Sequence, residues 1–148
     1  MTNNEVLRHI RDTFNYDESK LLAIFKLTDV SLTPEQLSGW LNQNDDPAAQ
    51  SCSDTQLASF LNGLIIERRG KKDGPQPTPE QTLTNNIIFK KLRIALDLKA
   101  EDIMAILTPA GVELSKHELS AFFRKPDHKH YRACKDQILL AFLKGVQL

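Results

Sequence analysis

The chain contains two copies of one sequence pattern. When residues 84–148 are shifted back by 82 positions, they align with residues 2–66 without a gap, and 17 of the 65 pairs are identical. Unrelated segments of ordinary composition would share roughly four. A period of 82 residues is also longer than the units of solenoid proteins. The chain is therefore predicted to be a duplicated domain. Positions kept in both copies serve the fold, and positions that differ are candidates for function.

A segment rich in proline and glycine separates the copies. Residues 70–81 contain three prolines and two glycines but no large apolar side chain. Proline fixes φ and glycine interrupts helices, so this composition favours a semi-extended connector on the surface. We divide the chain into a first repeat domain at 2–70, a linker at 71–83 and a second repeat domain at 84–148.

Apolar residues recur at helical spacing in four segments of each copy. We therefore predict an all-α protein of two tandem homologous four-helix domains. The helices follow a helix-turn-helix-like order, and an approximate two-fold axis relates the domains. The predicted helices are residues 4–14, 18–27 and those beginning near Thr33 and Ser53, with counterparts at 86–96, 100–107, Ser115 and Lys135.

The helix starts carry clear local signals. Thr33 with Gln36 has the spacing of a capping box, and Ser115 with Glu118 repeats it in the second copy. Different residues thus offer the same N-terminal cap, which predicts that the third helix of each copy starts at Thr33 and at Ser115. The paired asparagines at 3–4 and 85–86 are interpreted as further helix starts.

Several charged residues are identical in the two copies. Catalysis rarely needs a site twice, and buried charges must be paired. We therefore interpret these residues as a structural network of ion pairs or helix caps. The kept charged pairs are Arg11 and Arg93, Asp45 and Asp127, and Asp54 and Asp136.

Cysteine usage and the lack of targeting segments favour a cytoplasmic protein. Cys52 and Cys134 occupy equivalent positions, which is typical of small buried apolar residues. A disulfide between them is the less favoured reading. No apolar run approaches the roughly 20 residues of a membrane span, and no secretory signal is visible.

The residue pattern holds no recognisable motif for catalysis. It has no glycine-rich phosphate loop, no nucleophile elbow and no helical histidine pair with metal spacing. A metal site at His128, His130 and Cys134, with His117 in reach, is a weaker hypothesis. Its spacing matches no standard zinc site, and Lys129 would repel a cation. We predict no enzyme and no cofactor.

Basic residues are concentrated in one loop of the second copy. Residues 2–70 have a charge balance of −4 and residues 84–148 one of +4. Residues 124–135 hold five Lys and Arg, two His and one Tyr, whereas the aligned residues 42–53 hold no basic residue. Clustered cations attract phosphates, and tyrosine can stack on a base. The alternative is a solvated loop that faces the acidic first copy. The candidate nucleic-acid contacts are Lys116, His117, Arg124, Lys125, Lys129, His130, Tyr131 and Arg132.

The pattern of the two repeats resembles a known bacterial family. In the first copy the resemblance is carried by residues 3–11, by 24–27 and above all by Phe60-Leu61-Asn62-Gly63-Leu64-Ile65-Ile66-Glu67-Arg68-Arg69-Gly70. The second copy repeats this pattern less completely at 92–98 and 142–145. It is similar to the YehS-like family of domains of unknown function. In the second copy Lys144 replaces Asn62. The resemblance implies a bacterial cytoplasmic protein and supplies no activity, substrate or catalytic residue.

Three hypotheses of function follow. The first is a non-enzymatic binding or regulatory module whose partner is another protein or a second copy of the chain. The second is a nucleic-acid-binding regulator that uses the basic loop and the third helix of the second repeat. The third is an enzyme or metal site at His128, His130 and Cys134. None of the three needs a membrane.

Overall fold

The regular secondary structure is helical throughout the ranges 1–42 and 46–146, which the computed structural model describes. Each repeat contributes four α-helices, and a 3-10 turn, Thr108–Ala110, follows the sixth. Asp45, one of the kept charged residues, lies outside the described ranges. The helices are α1 (Asn3–Phe14), α2 (Glu18–Lys26), α3 (Pro34–Leu41), α4 (Asp54–Arg69), α5 (Asn85–Leu96), α6 (Ala100–Leu107), α7 (Lys116–Ala121) and α8 (Asp136–Gly145).

The helix starts follow the local signals, and α1 and α5 begin at the first asparagine of each pair. The capping boxes of Thr33 with Gln36 and of Ser115 with Glu118 are both formed. The paired asparagines do not cap the first helix of either repeat. The N-cap of α1 is Thr2, whose Oγ1 accepts a hydrogen bond from the Glu5 N–H at 3.1 Å, and the N-cap of α5 is its counterpart Thr84. The asparagines occupy the first turn, and their side chains contact residues far along the chain.

Aromatic rings fill the core of each repeat. In the first, Phe25 packs between Phe60 and Trp40, with its ring centroid 5.0 Å from that of Phe60. In the second, Phe89 lies 4.7 Å from Phe142. Two residues that alternate in the sequence before each third helix are partly buried and pack against this core. Those residues are Val30, Leu32, Val112 and Leu114.

A kept glycine brings the second and fourth helices of each repeat into close contact. A Cβ atom on Gly63 would lie 2.3 Å from the carbonyl oxygen of Ile24, so α4 can cross α2 only because this side chain is absent. Gly145 meets Ile106 in the same way, at 2.6 Å from its Cγ2 atom. The glycine and the isoleucine are thus the same in both copies, because the crossing of the second and fourth helices needs them in each repeat.

The repeats pack together in a reciprocal arrangement. α4 packs on α5, and α1 packs on α8, so the first helix of each repeat contacts the fourth helix of the other. Asp54 accepts a hydrogen bond from the Leu83 N–H at 2.9 Å. At the equivalent place, Asp136 accepts from the nitrogen of Met1. This exchange between equivalent residues is what an approximate two-fold axis produces. The prediction of two tandem, all-helical repeats is confirmed.

Each of these aspartates is also bound by an asparagine of its own repeat. Asn3 Nδ2 donates to Asp54 Oδ1, and Asn85 Nδ2 donates to Asp136 Oδ1, both at 2.7 Å. Hydrogen bonds from Asn3 and from the Leu83 N–H hold the pKa of Asp54 below its usual value. The Met1 nitrogen and Asn85 act on the pKa of Asp136 in the same direction.

The cysteines are free and buried. Burial raises the pKa of the Cys52 thiol to about 12, and burial raises that of Cys134 to about 12 as well. Both therefore stay protonated at neutral pH and pack as small apolar side chains. Among the described residues, no helix is both long and apolar enough to cross a membrane.

Candidate nucleic-acid interface

The basic loop, residues 124–135, joins α7 to α8 and is tied to the body of the second repeat. Its Arg132 N–H donates to the Ala121 carbonyl at 3.2 Å. The buried side chain of Asn86 supplies three further bonds. Its Nδ2 donates to the carbonyls of Phe122 at 3.0 Å and Arg132 at 2.8 Å, and its Oδ1 accepts from the Cys134 N–H at 2.9 Å. The loop backbone is thus fixed at both ends.

The first repeat builds the same support under a loop without basic residues. Asn4 Nδ2 donates to the carbonyls of Trp40 and Gln50, and its Oδ1 accepts from the Cys52 N–H at 3.0 Å. The Gln50 N–H donates to the Gly39 carbonyl at 2.8 Å. Every one of these bonds has its counterpart in the second repeat. The role of this asparagine was not predicted, and its identity in both copies was the signal that pointed to it.

The side chains of the basic loop differ in their exposure to solvent. Lys125, Lys129, His130 and Arg132 are exposed to solvent. Arg124 is half-buried, and its Nε atom is enclosed without a hydrogen-bond partner among the described residues. Tyr131 is half-buried too, which limits its use as a stacking platform. His117 and Lys116 on α7 are exposed beside the loop.

The acids that pair with this region belong to the second repeat itself. Lys116 Nζ lies 2.7 Å from Glu101, and Arg132 Nη1 lies 3.6 Å from Glu118. Lys125 and Lys129 have no ion-pair partner within residues 1–42 and 46–146. In the described part of the chain, the basic loop is therefore open to solvent and is not covered by the acidic repeat.

The third helix of the second repeat is short. α7 begins next to Ser115, as predicted, and ends at Ala121. Leu119, Ala121 and Phe122 are buried, so only its outer side faces solvent. The connection from α6 is also longer than the 3–4 residues of a helix-turn-helix. The helix-turn-helix-like order is present, but α7 is not an exposed recognition helix.

His128 supports a turn within the basic loop. Its Nδ1 atom accepts from the His130 N–H at 3.0 Å. In the first repeat, Asp46 Oδ1 accepts from the Ala48 N–H at 2.8 Å at the same position. The histidine therefore replaces an aspartate in shaping the turn while removing a negative charge.

The histidines of this region do not form a metal site with Cys134. The rings of His117 and His130 lie 6.1 Å apart, and those of His128 and His130 lie 5.5 Å apart. Cys134 is buried. Among the described residues, no three His, Cys, Asp or Glu side chains are placed to hold a metal ion. The third hypothesis has no geometric support.

The two kept arginines have different contacts. Arg11 Nε donates to its neighbour Asp12 at 3.0 Å. Arg93 Nε donates to the Leu98 carbonyl at 3.1 Å, and its guanidinium lies 4.7 Å from the ring centroid of Phe123. Asp54 and Asp136 thus share one role across the copies, whereas the kept arginines do not share a partner.

Taken together, the helices and the basic loop define a duplicated all-helical protein in which one copy presents cations on a shared scaffold. The chain belongs to the family described as Protein of unknown function (DUF1456), whose model matches residues 3–70 and 85–148. It is similar to the Uncharacterized protein YehS of Escherichia coli (strain K12), with 45% identity over 147 residues. That alignment covers 99% of this chain and 94% of the relative. No solved structure matches the chain significantly. The resemblance stated from the sequence is confirmed.

Proposed function

We propose that this is a non-enzymatic, cytoplasmic nucleic-acid-binding protein that contacts phosphates through the basic loop. The observation that carries the proposal is the exposure of Lys125 and Lys129 without an ion-pair partner among the described residues. Clustered cations that include lysines without an acidic partner among the described residues are suited to a phosphate backbone. Since α7 is short, the loop supplies the contacts and the helix lies behind it.

The copy-specific character of the loop supports a binding role. The two loops share their backbone hydrogen bonds, so the fold does not require basic residues at these positions. The residues at 46–50 of the first repeat are Asp, Pro, Ala, Ala and Gln, whereas the second repeat has His, Lys, His, Tyr and Arg. A difference confined to exposed and half-buried side chains changes what the surface attracts and leaves the scaffold intact.

A protein partner, or a second copy of the chain, is the alternative. Protein interfaces usually centre on aromatic or apolar anchors. Among the described residues, the large hydrophobic side chains that are exposed are Leu27 and Ile94, and both lie far along the chain from the basic loop. The surface around the loop is cationic and polar, which favours the nucleic acid over the protein partner.

Salt-dependent binding tests the proposal. We expect the full chain to bind a mixed-sequence duplex DNA or a single strand in fluorescence anisotropy, more weakly as salt rises. Each lost contact to duplex phosphate should lower the slope of log K against log salt by about 0.9. The variant Lys125→Ala/Lys129→Ala/Arg132→Ala should therefore bind more weakly and with a shallower slope.

A matched variant separates the loop from overall charge. Lys26→Ala/Lys99→Ala/Lys144→Ala removes the same charge from exposed positions outside the loop. It should retain most of the binding. Equal losses in the two triple variants would show that only net charge matters. No binding by the wild type at low salt, or turnover of a metabolite by the purified protein, would contradict the proposed function.

A further inference from the structure

A cleft lies between the two repeats, and its lining combines apolar side chains with charged ones, among them Lys71, Lys72, Lys90 and Lys91. It has a volume of about 520 Å³ and is walled by α4, α5, the end of α2 and the linker. This size falls in the range of small-molecule sites. Leu27 and Ile94, the exposed large hydrophobics among the described residues, both line it, and Ile65, Ile66 and Ile87 extend the apolar wall.

The cleft contains a buried amide group with an unused donor. Asn62 is 5% exposed, and its Oδ1 accepts from Lys91 Nζ at 2.6 Å. The ammonium can only donate, so the oxygen must face it and the Nδ2 group must face away. That Nδ2 atom is buried without a hydrogen-bond partner among the described residues. Buried donors in native proteins are almost always paired, so this atom calls for an acceptor that the chain does not supply.

A carboxylate of the linker also lies beside Lys91. Glu80 of the linker is 3.1 Å from Lys91 Nζ at its Oε1 atom, within ion-pair distance. The direction does not suit a hydrogen bond, and the Oε1 atom is enclosed without one among the described residues. The side chains of Asn62 and Lys91 are largely buried and that of Glu80 is 34% exposed, so the three groups form a partly desolvated polar cluster at the edge of the cleft.

The polar cluster selects a chemical class of ligand. Asn62 Nδ2 needs an acceptor, and Glu80 Oε1 needs a donor. A carboxylate would satisfy Asn62 but would meet repulsion from Glu80, and an ammonium would satisfy Glu80 but would face Lys91. A neutral amide offers a carbonyl and an N–H together. The apolar wall formed by Leu27, Ile87 and Ile94 suits an aliphatic group attached to it.

The opposite groove, between α1 and α8, lacks this chemistry. At the positions of Asn62 and Lys91 it has Lys144 and His9. At the positions of the wall residues Ile87 and Ile94 it has Glu5 and Asp12. The two-fold relation therefore does not require the cleft or its polar cluster. Both arose on one side of the molecule only.

From these observations we propose that the cleft between α4 and α5, covered by the linker, binds a small neutral amide with an aliphatic side group. Asn62 donates to the carbonyl of the ligand, and Glu80 accepts from its N–H. Lys91 holds Asn62 and Glu80 in place. This site is separate from the basic loop and does not depend on nucleic-acid binding.

Titration of the full chain with N-acetyl-leucinamide, followed by two-dimensional NMR, tests this assignment. We expect saturable shifts of residues lining the cleft. N-acetyl-leucine, which has a carboxylate in place of the amide, should bind at least tenfold more weakly. The variants Asn62→Leu and Glu80→Gln should each weaken binding of the amide about tenfold, the effect of one well-formed polar contact.

Lys144→Leu, at the position equivalent to Asn62, is the matched control and should leave binding unchanged. If Asn62→Leu fails to fold, Glu80→Gln in the linker still decides the question. Absence of saturable shifts at millimolar amide would overturn the assignment, because the polar atoms would then be satisfied by water alone. Tighter binding of the carboxylate would overturn the ligand class. Equal binding by Asn62→Leu or Glu80→Gln and the wild type would overturn the site.

Discussion

The loops before the fourth helices of the two repeats share their supporting hydrogen bonds and differ in their side chains. In both, a buried asparagine of the first helix binds the two sides of the loop and the N–H of the kept cysteine. The outer positions change from acidic and small in the first repeat to basic in the second. The difference teaches that the inner hydrogen bonds specify the fold, while the outer side chains are free to acquire a function.

The two grooves between the repeats show the same division. The contacts that hold them, from Asp54 to Leu83 and from Asp136 to Met1, are reciprocal. The lining is not, because an apolar wall with Asn62 replaces polar and charged residues of the other groove. Duplication thus supplied a stable pair of units, and each groove could then diverge.

The largest effect is expected where both copies need the same glycine. Gly63→Ala places a Cβ atom 2.3 Å from a backbone oxygen, which only a shift of α4 against α2 can relieve. We expect a loss of about 3 kcal/mol, the upper end for overpacking. In Gly145→Ala the nearest atom is a side-chain methyl at 2.6 Å, which can move more readily, so the loss should be about 1 kcal/mol. Urea unfolding measures both.

Gly39→Ala is the control for these glycine variants. Its Cβ would lie 3.3 Å from the flexible side chain of Gln50, and the second repeat already has Ala121 at this position. It should be neutral or stabilise the protein by up to about 1 kcal/mol through helix propensity. A loss in Gly39→Ala as large as that in Gly63→Ala would show that the helix crossings are not specific.

A smaller effect is expected from the kept aspartates as the pH falls. The pKa of Asp54 is lowered in the folded state from 3.8, mainly by the Asn3 hydrogen bond and then by the Leu83 N–H. The ionised form therefore stabilises the fold above that value, and this stabilisation is lost as the pH falls through the lowered folded-state pKa. Asp136 should behave alike, since its pKa is lowered at the equivalent place.

Urea unfolding between about pH 2 and pH 7 measures this contribution. Asp54→Asn and Asp136→Asn should each reduce the loss of stability in acid by a similar amount. Asn3→Ala should also reduce the loss of stability in acid, but only through Asp54, because this variant removes the main hydrogen-bond donor to the Asp54 carboxylate. An acid dependence that Asp54→Asn leaves unchanged would contradict the structural role of the kept aspartates.

The helices could be predicted from the sequence because their signals are local. Capping at Thr33 and Ser115 needs only residues three positions apart, and burial of the cysteines follows from their equivalent positions. The roles of Asn4 and Asn86 could not be predicted, because each meets a cysteine 48 positions away and only the folded chain brings them together.

The candidate sites show the same limit. The basic loop was visible because its residues are neighbours in sequence. Its openness to solvent and the short α7 depend on packing and could not be read from composition. The cleft joins Asn62, Glu80 and Lys91 from two helices and the linker, so it became apparent only in three dimensions. The replacement of Asn62 by Lys144 in the second copy was the available signal.

The smallest effect on stability is expected when the loops exchange their turn residue. His128 Nδ1 and Asp46 Oδ1 accept the same backbone hydrogen bond. His128→Asp and Asp46→His should therefore each change the free energy of unfolding by less than about 0.5 kcal/mol. Asp46→Ala, which removes the acceptor, should cost about 1 kcal/mol and is the control.

The same exchange separates scaffold from function. His128→Asp adds a negative charge beside Lys129 and Arg132, so it should weaken the salt-dependent binding of DNA while the stability stays nearly unchanged. Asp46→His changes the charge of the first loop and should leave binding close to that of the wild type if the basic loop alone makes the contact. Enhanced binding in Asp46→His equal in size to the loss in His128→Asp would instead show that both loops face the nucleic acid. The comparison between the repeats would then describe one shared surface.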